Sequence, residues 1–145
     1  MTHVDLSHNP KLKSLRLDDA KYATVDLSHN PELEELTLLY SDFTEIDVSN
    51  NPALKHIQIW GTYRLESLDV SHNPALVELD ISGNTGLFEL DLSHNIALET
   101  LDITSTNIRR LDLSHNPVLK VVNIDGDVDY EITGAAEGIL KKWGE

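Results

Sequence analysis

Aspartate, serine and histidine stand close together at five places in the chain, as Asp-Leu-Ser-His or Asp-Val-Ser-His. These three residue types form the triad of many hydrolases, in which histidine activates a serine nucleophile. Ser28 and His29, however, are chain neighbours and must project in different directions. The same pair recurs in the other copies, whereas an active site needs one strained nucleophile. We therefore expect a protein without enzymatic activity.

The repeated histidines and aspartates could instead bind metal ions. The histidines are His8, His29, His72, His94 and His115. A stack of imidazoles can bind transition metals or respond to pH near the ordinary pKa of about 6.5. Asn50 replaces one histidine without disturbing the motif, which favours a surface column over a ligand set. Calcium could bridge the stacked aspartates, but hydrogen bonds from neighbouring Ser or backbone groups would offset their repulsion without an ion. We expect no cofactor.

A third candidate is the segment from Asp125 to Asp129, which begins like a calcium-binding loop of the D-x-D-x-D type. The remainder of that motif is missing. Its sixth position is Tyr130 where a sharp turn needs glycine, and its twelfth is Ala136 where a glutamate would bind the ion through both oxygens. This segment is interpreted as an acidic loop.

The elements that position these residues follow from the repeat itself. The motif begins at Asp5, Asp26, Asp47, Asp69, Asp91 and Asp112, with steps of 21, 21, 22, 22 and 21 residues. A fixed short period predicts a solenoid in which each coil packs mainly on its neighbours. A looser copy lies between successive motifs, and apolar residues alternate in both halves of the period. The pattern predicts about six coils, each with two short strands, which together form two parallel sheets.

Two further columns support this prediction. A leucine recurs after each turn and should stack in the core, at Leu12, Leu33, Leu54, Leu76, Leu98 and Leu119. An asparagine stands where the chain leaves each motif strand, at Asn9, Asn30, Asn51, Asn73, Asn95 and Asn116. Bends expose backbone groups that an amide side chain can satisfy, so we expect an asparagine ladder.

The stretch from Leu76 to Asn84 follows the pattern LxxLxLxxN, which resembles the leucine-rich repeat family, and the 21-residue LDLSxNP period resembles its internalin-type bacterial branch. The resemblance covers residues 4 to about 124. It implies a curved right-handed solenoid that binds partners, usually proteins, on its strand-lined inner face. Some relatives with this period carry a cysteine ladder, whereas the equivalent positions here are aliphatic, at Leu17, Leu38, Ile59, Ile81, Ile103 and Ile124.

The repeat fades after Ile124, so we divide the single domain into a solenoid over residues 1–124 and an acidic exit loop with a C-terminal cap over residues 125–145. Ala136, Ile139, Leu140 and Trp143 have the i, i+3, i+4, i+7 spacing of an amphipathic helix. The spacing predicts a short helix that covers the last coil.

The composition limits the partners. The formal net charge of -14 argues against nucleic acid and anionic membranes, and it favours a partner with a basic patch. The chain has no cysteine, no basic leader and no stretch near the roughly 18 apolar residues of a membrane span. As the chain stands we expect a cytoplasmic protein, or a cell-surface or extracellular one if it is part of a longer internalin-type protein. The oligomeric state is left open.

The motif half hardly changes between coils, whereas the outward residues of the strand between the motifs change at nearly every coil, so this strand predicts the binding face. Leu39 and Trp60 should lie outward side by side, near Tyr40 and Tyr63, with acidic residues beyond them. Trp60 or Tyr63 could alternatively fold back over the coil edge. The predicted partner-binding residues are Arg16, Asp18, Thr37, Leu39, Tyr40, Gln58, Trp60, Tyr63, Asp80, Ser82, Asp102 and Thr104.

Three functions fit these observations. The favoured one is a non-catalytic module that binds a protein with a basic, partly apolar patch. The second is a structural or adhesive spacer within a larger protein. An acidic inhibitor or immunity-type binder of a basic effector is a refinement of the first, and a metal-responsive solenoid fits least well.

Overall fold

The variable strand of each coil pairs with the same strand of the next coil. A computed structural model describes residues 3–21 and 23–144. Its strands are β1 (Ser14–Asp18), β2 (Glu35–Leu39), β3 (His56–Trp60), β4 (Glu78–Asp80), β5 (Thr100–Asp102), β6 (Arg110–Asp112), β7 (Val121–Asp125), β8 (Glu131–Thr133) and β9 (Leu140–Trp143). A seven-stranded parallel sheet has the order β1-β2-β3-β4-β5-β7-β9. The predicted solenoid of about six coils is confirmed.

The core is a continuous column of aliphatic side chains inside the coils. Leu33, Leu54, Leu76 and Leu98 are fully buried, as the repeat predicts. Leu12, in the first coil, is only partly buried and packs against the edge of the core. Each fully buried leucine removes about 1.5–3 kcal/mol of apolar side chain from water. Stacking of coils therefore supplies most of the stabilisation.

The asparagine ladder forms as predicted. Each buried asparagine uses its side-chain amide to donate to two backbone carbonyls of the preceding coil. Asn51, for example, donates from Nδ2 to the carbonyl oxygens of Leu27 at 3.0 Å and Asn30 at 2.8 Å. The same pair of bonds recurs at Asn30, Asn73, Asn95 and Asn116. The ladder connects the corners of successive coils.

The second parallel sheet is less extensive than two strands in every coil would give. In the described part of the chain the motif side has only the two-stranded sheet of β6 and β8. Elsewhere on this side, neighbouring coils share isolated backbone bonds, such as Asp42 N–H to the Ala20 carbonyl and Thr44 N–H to the Ala23 carbonyl. Alternation reports that one side of a segment is buried; it does not report whether neighbouring backbones approach closely enough for a continuous ladder.

The prediction of a C-terminal helix is wrong. Residues 131–133 and 140–143 form strands β8 and β9, which continue the two sheets. Gly134 and Gly138 between them have φ angles of 70° and 78°, which are outside the helical region. The segment pairs with the otherwise open edge of β7, where the backbone N–H of Val122 donates to the carbonyl oxygen of Ile139 at 2.8 Å. Ile139 is buried, so the segment does cover the last coil, as a strand.

Candidate functional site

Strand register places the predicted binding residues in two columns on the outer side of the large sheet. The middle column is Arg16, Thr37, Gln58, Asp80, Asp102 and Asn123, and the register joins them one coil at a time. The next column contains Asp18, Leu39 and Trp60 in register. Ser82, Thr104 and Asp125 continue it by the same offset. We call the surface formed by both columns, together with Tyr40 and Tyr63, which follow β2 and β3, the strand face.

Two aromatic rings occupy the middle of the strand face. The rings of Tyr40 and Trp60 meet edge to face, with centroids 4.4 Å apart and planes at 85°. Such a pair contributes about 0.5–1.5 kcal/mol beyond its buried area. Tyr40 is 52% exposed, whereas Trp60 is partly buried. This aromatic pair lies where the sequence predicts a patch, and Tyr40 is its more exposed ring.

Each of these rings covers a glycine of the next coil. A Cβ atom on Gly61 would lie 3.2 Å from Cδ1 of Tyr40, and one on Gly83 would lie 3.0 Å from Nε1 of Trp60. Trp60 thus folds over the coil edge, the alternative that the sequence left open. The sequence signal for this packing was present as a glycine one coil beyond each ring.

The backbone turns into the left-handed region immediately after each strand. The positive φ angles in successive coils are 54° at Asp19, 51° at Tyr40, 66° at Gly61, 73° at Gly83 and 56° at Ser105. Glycine and aspartate are the residue types that tolerate this conformation best. Tyr40 is the one bulky residue in the series, and sequence reasoning did not detect it because tyrosine gives no turn signal.

The other predicted contacts vary in accessibility. Tyr63 is 62% exposed and Leu39 is partly buried. Ser82 is buried beside Trp60, which contradicts its expected outward contact with a partner. Its hydroxyl donates to Oδ1 of Asp80 at 2.6 Å. Ser82 therefore acts on the strand face by fixing this carboxylate.

The carboxylates of Asp80 and Asp102 are held from both sides. Oδ1 of Asp102 accepts from the backbone N–H and hydroxyl of Thr104, and Oδ2 accepts from Asn123 at 2.9 Å. Asp80 is held likewise by Ser82 and by Gln58 Nε2 at 3.2 Å. Neither carboxylate has a cationic partner within ion-pair distance among the described residues. The acidic end of the strand face is therefore preorganised and uncompensated.

One edge of the strand face carries ion pairs that run across the coils. Glu34 lies between Lys13 at 3.0 Å and Lys55 at 2.7 Å. Hydrogen bonds from both lysines lower the pKa of Glu34 to about 2. Glu99 pairs with Lys120 at 2.6 Å. These charges mostly cancel, so the ion pairs at this edge add little to the acidic character that Asp80 and Asp102 give the face.

The strand face is shallow. A groove of about 390 Å³ runs over its centre, with Thr37, Gln58, Asp80, Asp102 and Asn123 along the bottom. An open groove along a flat sheet suits an extended or protein-sized ligand better than an enclosed small molecule.

The repeated Asp-Ser-His residues form turns at the coil corner. Oδ1 of Asp26 accepts from the backbone N–H of Ser28 at 2.9 Å and from its hydroxyl at 2.6 Å. These bonds lower the pKa of Asp26, and the corresponding serine lowers the pKa of each other motif aspartate. The serine hydroxyl contacts Nδ1 of His29 at 3.0 Å. Because the serine proton is directed to the aspartate, this arrangement is a structural turn.

Residues 126–130 connect β7 to β8. Tyr130 donates to Oδ2 of Asp125 at 3.2 Å, and burial raises the pKa of Tyr130. Asp125 also accepts from the backbone N–H of Ser105. Within the described ranges no three His, Asp or Glu side chains converge in a way that could hold a metal ion.

Sequence reasoning missed a second polar column at the opposite corner of the coil. Ser41, Thr62, Asn84 and Thr106 are all buried. Asn84 is the best connected: its Oδ1 accepts from Thr62 N–H at 2.8 Å, and its Nδ2 donates to the Ile59 carbonyl at 2.6 Å. The residue type changes from each coil to the next, so this column does not show as an identical repeat in the sequence, as the asparagine ladder does.

Comparisons with known proteins agree with this architecture. A family model described as "Leucine Rich repeat" matches residues 104–120. Among solved structures, the chain is similar to "Functional domain of InlJ from Listeria monocytogenes includes a cysteine ladder", with a TM-score of 0.78 and 29% identity. The match covers 99% of this chain and 34% of the other, so the chain spans about a third of that structure. No relative is found among curated protein sequences.

The stacked coils, the asparagine ladder and these matches define a leucine-rich repeat protein. Its 21- to 22-residue period and its likeness to InlJ place it in the internalin-type group. It has no cysteine, so its inner strand positions differ from those of a cysteine ladder. The described residues include no helix with the length and hydropathy of a membrane span.

Proposed function

We propose that this chain binds a protein partner through the strand face, with Tyr40, Trp60 and Tyr63 at the centre of the contact. Leucine-rich repeat domains generally bind protein partners and are generally not enzymes. The observation that carries the proposal is Tyr40, a large and half-exposed ring on a left-handed backbone.

Tyr40 is retained at a cost to stability. A left-handed conformation costs a residue with a Cβ atom about 1–2 kcal/mol, and the corresponding positions of the next two coils are glycines. The edge contact with Trp60 offsets only part of that cost. Strained residues that persist in spite of such a cost cluster at functional sites. Exposed tyrosines are frequent binding hot spots because they bring much area with little rotamer entropy to lose.

The charges of the face support a basic partner. Asp80 and Asp102 are fixed by hydrogen bonds, and among the described residues neither has a cation within ion-pair distance that would have to be displaced. Oriented carboxylates beside an aromatic patch are complementary to a protein surface with Lys or Arg next to apolar side chains. Such complementarity mainly raises the association rate and the specificity.

An acidic inhibitor of a basic effector is the finer form of this proposal. It is supported by the net charge of -14, because most of the acidic residues that produce this charge lie outside the strand face. A purely structural spacer is the competing function, and it gives no reason for a strained aromatic residue on the variable strands.

The test uses substitutions that copy residues from other coils. In the double variant Tyr40→Gly, Trp60→Ser, each new residue is the one found at the same position in a neighbouring coil, at Gly61 and Ser82. Affinity capture from lysate of the source cells should recover a partner with the wild type and lose it, by about tenfold or more, with the double variant. Ile96→Pro is the control, because it removes an exposed apolar residue elsewhere and restores the residue of the other coils.

Circular dichroism must first show that all three proteins are equally folded. Capture of the same partner by the double variant and the wild type would refute the proposal. Recovery of no partner by the wild type would favour the structural spacer.

A further inference from the structure

The motif side of the coils has a variable position of its own, three residues before each motif aspartate. Phe88 is 63% exposed, although the same position is Thr44 and Glu66 in the two preceding coils. The next coil has Arg109 at this same position and Arg110 after it, where the preceding coil has Phe88 and Glu89. Variation of residues between coils identifies the strand face, and variation at this position identifies a second surface.

These residues border an open groove of about 840 Å³ on the motif side. Its apolar part consists of Phe88 with Leu68 and Leu90, of which Leu68 is buried and Leu90 partly buried. Arg109 and Arg110 line one end. The groove therefore combines an exposed ring with two of the chain's 11 basic residues, and the acids Asp69, Glu89 and Asp91 also line it.

Arg109 is held rigidly and lacks an acidic partner. Its Nη1 donates to the carbonyl oxygens of Thr106 and Ile108, both at 2.9 Å, and its Nη2 contacts Oδ1 of Asn107 at 3.4 Å. The guanidinium also lies over the ring of Tyr130, 5.8 Å from its centroid. No carboxylate of the described residues is within ion-pair distance of it.

The contacts of Arg109 leave its Nε–H and one Nη2–H without a protein acceptor among the described residues. Two parallel N–H groups of this kind match the two oxygens of a carboxylate. Arg110 differs, because its Nε already pairs with Glu131 at 2.9 Å. The orientation of Arg109 is thus fixed before any ligand arrives.

We propose that this groove binds an extended segment of a protein partner in which an apolar side chain lies beside an aspartate or glutamate. The apolar side chain packs on Phe88 and Leu90, and the carboxylate accepts both free N–H groups of Arg109. Asp69, Glu89 and Asp91 also line the groove and repel an acid placed near them, which sets the direction of the segment. This surface is separate from the strand face and does not depend on its function.

Three capped tetrapeptides serve as probes: acetyl-Gly-Glu-Leu-Gly-amide and the same peptide with Gln or Lys in place of Glu. Each is titrated into the ¹⁵N-labelled chain and followed by NMR, including the Nε–Hε signal of Arg109. The Glu peptide should shift that signal and the amides of residues 88–91 and 109–110. It should bind about tenfold more tightly than the Gln peptide, because the charged acceptor is lost, and the Lys peptide should bind more weakly still.

Two matched variants complete the test. Arg109→Gln should reduce binding of the Glu peptide to the level of the Gln peptide, and Phe88→Thr, which copies Thr44, should weaken all peptides. Tyr40→Gly should change nothing. Equal binding of the Glu and Lys peptides, no shift at millimolar peptide, or unchanged binding by Arg109→Gln would overturn the proposal. Shifts of these signals that depend on protein concentration without peptide would instead assign the groove to a second copy of the chain.

Discussion

Replacing one ladder asparagine tests how the coils are held together. In Asn73→Ala, the lost Nδ2 donates to the Val48 carbonyl at 3.0 Å and the Asn51 carbonyl at 2.9 Å. Both carbonyls keep a second partner, because Asn51 N–H bonds Val48 and Leu54 N–H bonds Asn51. No buried acceptor is left without a hydrogen bond, so each lost bond should cost about 1 kcal/mol.

The remaining side-chain atom adds little to this cost. Oδ1 of Asn73 has no hydrogen-bond partner in the described part of the chain, so its removal breaks no interaction. The expected loss in free energy of unfolding is therefore about 2 kcal/mol. The matched control is Asn9→Ala: Asn9 occupies the same position in the first coil but is exposed. Its side chain makes no ladder bond in the described residues, and its replacement should cost less than about 0.5 kcal/mol.

Urea unfolding measures both variants, followed by far-UV circular dichroism and by tryptophan fluorescence to establish that the two probes report one transition. The difference between Asn73→Ala and Asn9→Ala is the informative quantity, since helix or strand propensity changes equally in both. A difference below about 0.5 kcal/mol would refute the reasoning that the ladder bonds stabilise the stack.

Three further predictions concern the core, the ring contacts and the acidic motif. Leu76→Ala should lower the free energy of unfolding by about 2–5 kcal/mol, and Leu12→Ala by clearly less because Leu12 is only partly buried; equal losses in urea unfolding would contradict this. Gly83→Ala should displace Trp60 and shift its fluorescence to longer wavelength, whereas Gly138→Ala, whose φ of 78° is similar but which has nothing within 4 Å, should leave the emission unchanged. Hydrogen bonds from Ser71 hold the pKa of Asp69 below its ordinary value of 3.8, so its contribution to stability is present above that value and is lost as the pH falls through the lower folded pKa. Asp69→Asn should therefore lose less stability than the wild type in urea unfolding between about pH 5 and pH 2, and an equal loss would show that this carboxylate is not linked to folding.

The repeat predicted those features that every coil must share. Asn51 and Leu54 stand at fixed positions because each coil needs the same corner and the same inward leucine to stack on the next. Identical requirements give identical residues, and identity is visible without a structure. The register of the large sheet followed from the same period.

Features that depend on neighbouring coils were harder to predict. The segment around Ile139 pairs with the open edge of β7 instead of forming the expected helix. Local apolar spacing does not show that a neighbouring strand has backbone groups without a hydrogen-bond partner. Trp60 was expected to be exposed because alternation pointed it outward, but Gly83 leaves room for the indole to lie down on the next coil. Arg109 was not predicted as a binding residue, because its orientation is fixed by backbone carbonyls and by the ring of Tyr130, which the sequence pattern does not show.

Side-chain oxidation in the complex tests the central claim most directly, namely that the strand face binds the partner. Tyr40, Tyr63 and Phe88 are 52%, 62% and 63% exposed, so hydroxyl radicals should oxidise them at comparable rates, adjusted for ring type, in the free chain. With the partner captured by the wild type, we predict that oxidation of Tyr40 and Tyr63 falls severalfold relative to Phe88. Unchanged oxidation of both tyrosines, or protection of Phe88 alone, would contradict the claim.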